Sequence, residues 1–398
     1  MGGKMNKRPA ENQINSPMLP FFDGQLVTPM SEITTLHPNP DFDVHFLALA
    51  QLHGLGFRAL EALIGHFSDL SQVWSTRPTE LQELFRNAKI PGGEALASSI
   101  SSKQKELVSA GLTSRDYFGR RNIHLIQASD PRFPQRLLEI PDYPKWLFVE
   151  GDISIANQGS YVAIVGTRQA SEVGETAAEE IASLVSQRGL GVVSGLAEGI
   201  DAAVHTIAVR RSIPQIAVLG TGIEVTFPAT TKELRHQIVS TGGCVVTEYL
   251  PSETYGRSNF VHRNRIQVGL SEAVCPVEGR SKSGTMHTVK FAKRYGRRLF
   301  GVTRGLSVSG NDIVAELKAV GAPVFDLSSD SGRAVLLQLL DTLPGERFER
   351  MKPPDLNLIV ESVRRALVDF ASYDELTRSE KQIVLKQIEK ELTGDDKR

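Results

Sequence analysis

The sequence predicts an α/β protein: a mostly parallel sheet covered on both faces, with small helical regions at either end. Three observations carry that prediction. Seven short apolar runs lie in the middle of the chain, at Tyr161 to Val165, Gly191 to Val193, Ile216 to Leu219, Cys244 to Val246, Ala273 to Val277, Leu299 to Val302 and Pro323 to Phe325. Helical stretches separate most of them, including Glu175 to Gln187, Thr231 to Ser240 and Gly284 to Tyr295. Short continuous strands alternating with helices build a parallel sheet with helices on both faces. Outside this block the apolar residues fall at helical spacing instead.

Taken in order, residues 1–40 hold six prolines and little apolar periodicity, and are expected to be a disordered tail. Residues 41–118 predict a helical N-terminal domain, with Phe46, Leu47, Ala50, Leu60, Leu63 and Phe67 forming a buried stripe. Within it, Leu52-His53-Gly54-Leu55-Gly56 has the composition of a helix-hairpin-helix turn. Its glycines serve either a backbone phosphate contact or turn geometry alone. Asp130-Pro131 and Pro141-Asp142-Tyr143-Pro144 then break any long helix and read as a linker. Residues 119–328 form the predicted sheet domain, and residues 329–398 a helical C-terminal domain, with helices at Ala334 to Leu340, Leu356 to Phe370 and Ser379 to Leu392.

Composition narrows the function classes. Forty per cent apolar residues, no run approaching the length of a membrane helix and no signal-like N-terminal apolar core predict a cytoplasmic protein without a membrane partner. Two cysteines, Cys244 and Cys275, each inside an apolar run, offer neither a disulfide framework nor a metal site. No cofactor is expected. The net charge of −1 excludes a globally basic nucleic-acid binder, so any affinity for a polyanion must come from a local patch. Such a patch exists. Between Arg257 and Arg304 eleven Lys/Arg stand against two Glu.

The residues that follow the strands carry the chemistry, because ligands of such sheets bind outside the strands' carboxyl ends. After the first strand comes Gly166-Thr167-Arg168, where glycine admits backbone N–H groups to a phosphate and Arg168 adds a planar fork. Neither a Walker loop nor the dinucleotide fingerprint is present. After the second comes Ser194-Gly195-Leu196-Ala197, then Gly199-Ile200-Asp201 with His205 one turn on. Asp201 and His205 read either as an acid/base pair or as a cap and a hydrogen-bonded structural histidine. After the fourth, Glu248 opens what reads as a long loop reaching Phe260, Arg263, Asn264 and Arg265. After the fifth, Lys282-Ser283-Gly284-Thr285 precedes a helix. Basic groups, a stacking ring and phosphate-sized turns together point to single-stranded nucleic acid. Lys290, Lys293, Arg294, Arg297 and Arg298 form a flank that either steers a polyanion or faces water.

In this order the motifs Gly166-Thr167-Arg168, Ser194-Gly195-Leu196-Ala197, Gly199-Ile200-Asp201 with His205, Phe260 with Arg263-Asn264-Arg265, Gly269-Leu270-Ser271 and Ser283-Gly284-Thr285 resemble the DprA/Smf family of DNA-processing proteins. The resemblance spans roughly residues 120 to 326. It implies an extended Rossmann-like domain that binds single-stranded DNA, forms a homodimer and loads the RecA recombinase during natural transformation, without being an enzyme. Carried over by residue, it implies a DNA pocket of Gly166, Thr167, Arg168, Ser194, Gly195, Phe260, Arg263, Asn264, Arg265, Lys282, Ser283, Gly284 and Thr285. The rival reading is a nucleotide sensor or a glycosidase acting on nucleoside monophosphates. Thr288 stands where such a hydrolase needs its carboxylate.

Overall fold

The computed structural model describes residues 41–254, 256–305 and 311–348. The expected N-terminal tail and the helices expected at Leu356 to Phe370 and Ser379 to Leu392 lie outside the described residues.

Five helices come first: α1 (Phe42–Ala50), α2 (Phe57–His66), α3 (Pro78–Asn87), α4 (Gly93–Ser102) and α5 (Gln104–Arg120). Pro78 suits the first turn of α3, where its missing N–H leaves no bond unmade. Their apolar faces close over Trp146, whose ring lies 4.9 Å from Phe46 and 4.8 Å from Phe57. The indole Nε1 of this buried Trp146 donates to the Glu248 carbonyl at 2.8 Å, so both its apolar body and its polar handle are satisfied. Phe148, Ala217 and Val245 of the sheet join the same cluster, so these helices and one face of the sheet share a core.

The sheet has eight strands: β1 (Ile123–Gln127), β2 (Trp146–Gly151), β3 (Tyr161–Val165), β4 (Gly191–Ser194), β5 (Gln215–Val218), β6 (Cys244–Thr247), β7 (Ala273–Pro276) and β8 (Arg298–Leu299). Their spatial order is β1-β2-β6-β5-β4-β3-β7-β8. Strands β3 to β8 run parallel to one another, and every residue of β3 to β7 is buried. That two-sided burial is why they read as unbroken apolar runs. Helices α6 (Glu172–Gln187) and α7 (Ile200–Arg210) cover one face. α8 (Lys232–Ser240) packs beside α7. The other face carries α9 (Arg257–Gly269) and α10 (Gly284–Arg294). A second, two-stranded parallel sheet pairs β9 (Gly301–Thr303) with β10 (Val324–Asp326), next to α11 (Ile313–Ala319) and α12 (Asp330–Asp341).

Three sequence expectations are corrected. The prolines read as a linker lie in the connection between β1 and β2, which pair antiparallel and extend the sheet beyond β6. The run Leu299 to Val302 is not one strand. It divides at the buried Phe300 between β8 of the main sheet and β9 of the small one. The stretch from Glu248 to Arg265, read as a long loop, enters the helix α9 at Arg257. Its buried residues include Arg263, Asn264, Arg265 and Gln267, so no apolar stripe marks it as helical.

Candidate nucleic-acid interface

From β3 the chain winds one way through β4, β5 and β6, then returns to place β7 on the other side of β3. The connections leaving β3 and β7 cover opposite faces, and a crevice opens between them at the strands' carboxyl ends. It is a cleft of about 800 Å³. Three elements wall it: the turn Gly166 to Gln169 after β3, one face of α9 through Phe260, Arg263, Asn264 and Gln267, and the start of α10 through Lys282 to Thr285 and Thr288. Residues 260, 264 and 267 recur at helical spacing, which is why one face of α9 supplies them all.

Each wall is held in place by contacts the sequence already contains. The Glu278 carboxylate accepts from Ser171 N at 3.1 Å and Ser171 Oγ at 2.9 Å, and the Glu278 carbonyl accepts from Thr167 N at 2.8 Å. The turn after β3 is thereby clamped from β7's side. Asn264 Nδ2 donates to the Gly284 carbonyl at 3.2 Å and ties α9 to α10. Ser283 stands at the N-cap position of α10 without a side-chain capping bond, and the positive end of the helix dipole lies at the cleft.

At the mouth the Arg168 guanidinium lies 4.4 Å from the centre of the Phe260 ring and 5.8 Å from that of Phe227. The two rings are 5.6 Å apart and tilted by 44°. Phe260 is half-buried, resting where a side chain on Gly220 would meet its ring at 2.6 Å. Arg168 and Lys282 are exposed. The mouth thus combines cations, an aromatic ring and backbone donors, a set suited to a phosphate and a base.

The expected site residues divide. Gly166, Thr167, Arg168, Phe260, Arg263, Asn264, Lys282, Ser283, Gly284 and Thr285 line one cleft. Ser194, Gly195 and Arg265 do not. The Ser194 hydroxyl donates to the Ile164 carbonyl at 2.7 Å inside the sheet. Gly195 lies beneath Arg263, and any side chain there would enter the guanidinium. Arg265 points the opposite way along α9, into a buried pair with Glu248 (2.8 Å from Nη1 to Oε1). Burial pushes the Glu248 carboxyl up, but Arg265 and then His262 outweigh it and hold the group below the usual range. Arg263 touches the cleft as a buried strut: its Nη1 donates to the Gly195 carbonyl at 2.7 Å and also to the Val218 carbonyl. Both arginines therefore sit on a helix and inside the protein, not on a loop at its surface.

Asp201 and His205 likewise part company. Asp201 Oδ2 accepts from Gly195 N at 3.1 Å, and burial raises its pKa against the pull of Arg263. His205 Nδ1 lies 2.9 Å from Gln215 Oε1, and burial lowers its pKa to about 4. The structure adds Gln169, Glu198, Gln267, His287 and Thr288 to the lining. Gln267 was legible only with α9 recognised as a helix, since it lies one turn beyond Arg263 and Asn264.

The basic stretch also resolves into parts. Arg265 pairs with Glu248, Arg294 with Asp142, Arg297 with Glu139 and Arg304 with Glu180. Lys282, Lys290 and Lys293 stay exposed along the cleft's edge and the outer side of α10.

Comparison with known proteins agrees with this architecture. The family model described as DNA recombination-mediator protein A matches residues 124–329. Protein Smf of Synechocystis is 33% identical over 315 residues, covering 76% of this chain and 77% of the relative. Protein Smf of Escherichia coli is 36% identical over 194 residues, 48% of this chain and 51% of that one. The X-ray structure of DNA processing protein A from Streptococcus pneumoniae superposes with a TM-score of 0.55 at 25% identity, covering 75% of this chain and 98% of that one. With a matched segment that includes the whole cleft, the chain belongs to the DNA recombination-mediator protein A family.

Proposed function

We propose that the cleft binds single-stranded DNA, with phosphates on the Gly166–Arg168 turn, Lys282 and the start of α10, and a base against Phe260. The observation that carries this reading is the stacked pair at the mouth, Arg168 over Phe260 at 4.4 Å, beside a helix N-terminus. A planar cation, a ring and backbone N–H groups suit the repeating phosphate and base of an extended strand. A duplex keeps its base faces stacked inside and offers none to Phe260. The role that follows is that of a binding protein: a homodimer that protects incoming single strands and loads RecA in natural transformation. Family membership supports this finer role. The separate engagement of Asp201 and His205 supports binding over acid–base catalysis.

The test is titration of short single- and double-stranded oligonucleotides of equal length, with light scattering to give the stoichiometry. Single strands are expected to bind more tightly. Phe260→Ala is expected to weaken them by about 5- to 150-fold, the equivalent of ~1–3 kcal/mol for one stacked base. Equal affinity for duplex and single strand, unchanged in Phe260→Ala, would reject the placement.

A further inference from the structure

At the end of the sheet away from the cleft, β1 is an edge strand. Five strand spacings of ~4.8 Å separate it from β3, roughly 24 Å. The bonds from Gly151 N to the Asn122 carbonyl and from Ala128 N to the Lys145 carbonyl fix the alternation against β2. They leave the N–H and C=O groups of Ile123 and Leu125 directed away from β2, where no strand pairs with them among the described residues. Such a row is a template for another strand, and proteins ordinarily blunt it by shortening, bulging or covering the edge. The opposite edge follows that rule, since β8 has only two residues. β1 instead runs five residues in unbroken register with β2.

Two cavities flank this edge. One, of about 110 Å³, has Leu47, Phe118 and Phe148 as an apolar wall, with Asp43 and Arg115 beside them. The other, of about 240 Å³, is walled by Ile126, Val149 and Ile153. Phe118 and Phe148 belong to the core shared with the N-terminal helices, and Ile126 and Val149 to the core of the other face, so the cavities lie on opposite sides of β1. His124 and Arg132 line both. Each is smaller than the roughly 300–1,000 Å³ of small-molecule sites and suits a single side chain. Their charges differ. In the first, Asp43 Oδ1 accepts from Val44 N at 2.8 Å, and Arg132 is held by Asp130 at 2.7 Å. Arg115 has its carboxylates, on Asp116 and Asp41, only at 3.7 and 3.8 Å, beyond hydrogen-bond reach, and its side chain is 38% exposed. In the second, the carboxylate of Asp152 is occupied on both oxygens by Ser154, which leaves the apolar wall to be covered.

We propose that β1 takes up an extended segment of a partner protein as a ninth strand, with acidic side chains on the face of Arg115 and apolar side chains on the face of Ile126. A strand turns successive side chains to opposite faces, so a segment of alternating acidic and apolar residues meets both cavities at once. The main-chain groups of Ile123 and Leu125 supply affinity, and the two cavities supply selectivity. This surface is separate from the cleft, so the partner and a single strand can be held together.

The test uses the full chain and a labelled probe, acetyl-Val-Glu-Val-Glu-Val-Glu-amide, followed by fluorescence anisotropy. Two further probes carry N-methyl groups, one on every Val nitrogen and the other on every Glu nitrogen. Alternate N–H groups of an added strand face its neighbour, so only one methylated set loses its bonds to β1. That set is expected to bind at least about 10-fold more weakly than the parent, and the other set to keep the parent's affinity. Exchanging Glu for Lys in the probe, or Arg115→Ala in the protein, is expected to weaken binding by about 10-fold. Arg115→Ala is expected to leave single-strand DNA affinity unchanged. No binding of the parent probe, or equal behaviour of the two methylated sets, overturns the proposal. Displacement of the probe by single-stranded DNA would assign the surface to nucleic acid, and a fall in the protein's mass by light scattering on adding the probe would assign it to a second copy of the chain. Either outcome overturns the proposal.

Discussion

His205 is fully buried on α7, with Nδ1 against the Gln215 carboxamide and a pKa lowered by burial to about 4. The unfolded chain takes up this proton near pH 6.5, and the folded chain takes it up only near pH 4. Between those values the unfolded state binds more protons, so stability rises with pH. The contribution is fully present above pH 6.5 and is lost as pH falls toward 4, amounting to about 2 kcal/mol between pH 7 and pH 5. Urea unfolding of the wild-type protein and of His205→Gln at both pH values is expected to show that part of the slope missing from the variant. The same loss in both would place the acid sensitivity elsewhere. At this scale the sequence left Asp201 and His205 open between a reacting pair and two structural groups. One helical turn brings them near each other, but whether they bond depends on Gly195 and Gln215, which no local spacing reveals.

Helix α9 is the element that organises the cleft and the one the sequence concealed. The strands were legible because burial on both faces demands unbroken apolar runs. α9 is buried too, but it satisfies its interior with polar side chains: Arg263 on two backbone carbonyls, Asn264 on α10 and Arg265 on Glu248. A polar run with two arginines in alternate positions looks like an exposed loop until its partners at the carboxyl ends of β4, β5 and β6 are known. The β1–β2 pair was concealed for a related reason, since prolines in a connection resemble prolines in a linker. Removing one partner of a buried ion pair leaves the other charge unpaired at a cost of about 3–5 kcal/mol. Arg265→Ala is therefore expected to lower unfolding stability by that order, as read from denaturant midpoints. An unchanged midpoint would mean the pair does not anchor α9.

Across the whole molecule, charge rather than shape separates binding from structure. The surplus of basic residues between Arg257 and Arg304 suggested one continuous patch in a neutral protein. Folding divides it, because carboxylates from distant segments (Glu139, Asp142, Glu180 and Glu248) take up four of its arginines. Among the described residues the exposed cations lining the cleft are Arg168, drawn from far upstream by the strand order, and Lys282, with Lys290 and Lys293 leading away along α10. The strand runs and the loops after β3 and β7 were legible because local composition determines them. The sorting of the arginines was not, because three of its four pairings join residues over a hundred positions apart and the fourth needs α9 folded against the sheet.

The salt dependence of single-strand affinity tests this division most directly. Each phosphate neutralised contributes roughly −0.7 to the slope of log affinity against log salt. Wild-type protein is expected to show a steep negative slope. Arg168→Ala should bind more weakly with a slope shallower by about 0.7, and Phe260→Ala should bind more weakly with the slope unchanged. Affinity that does not vary with salt, or an Arg168→Ala protein matching the wild type in both affinity and slope, would contradict the placement of DNA in the cleft.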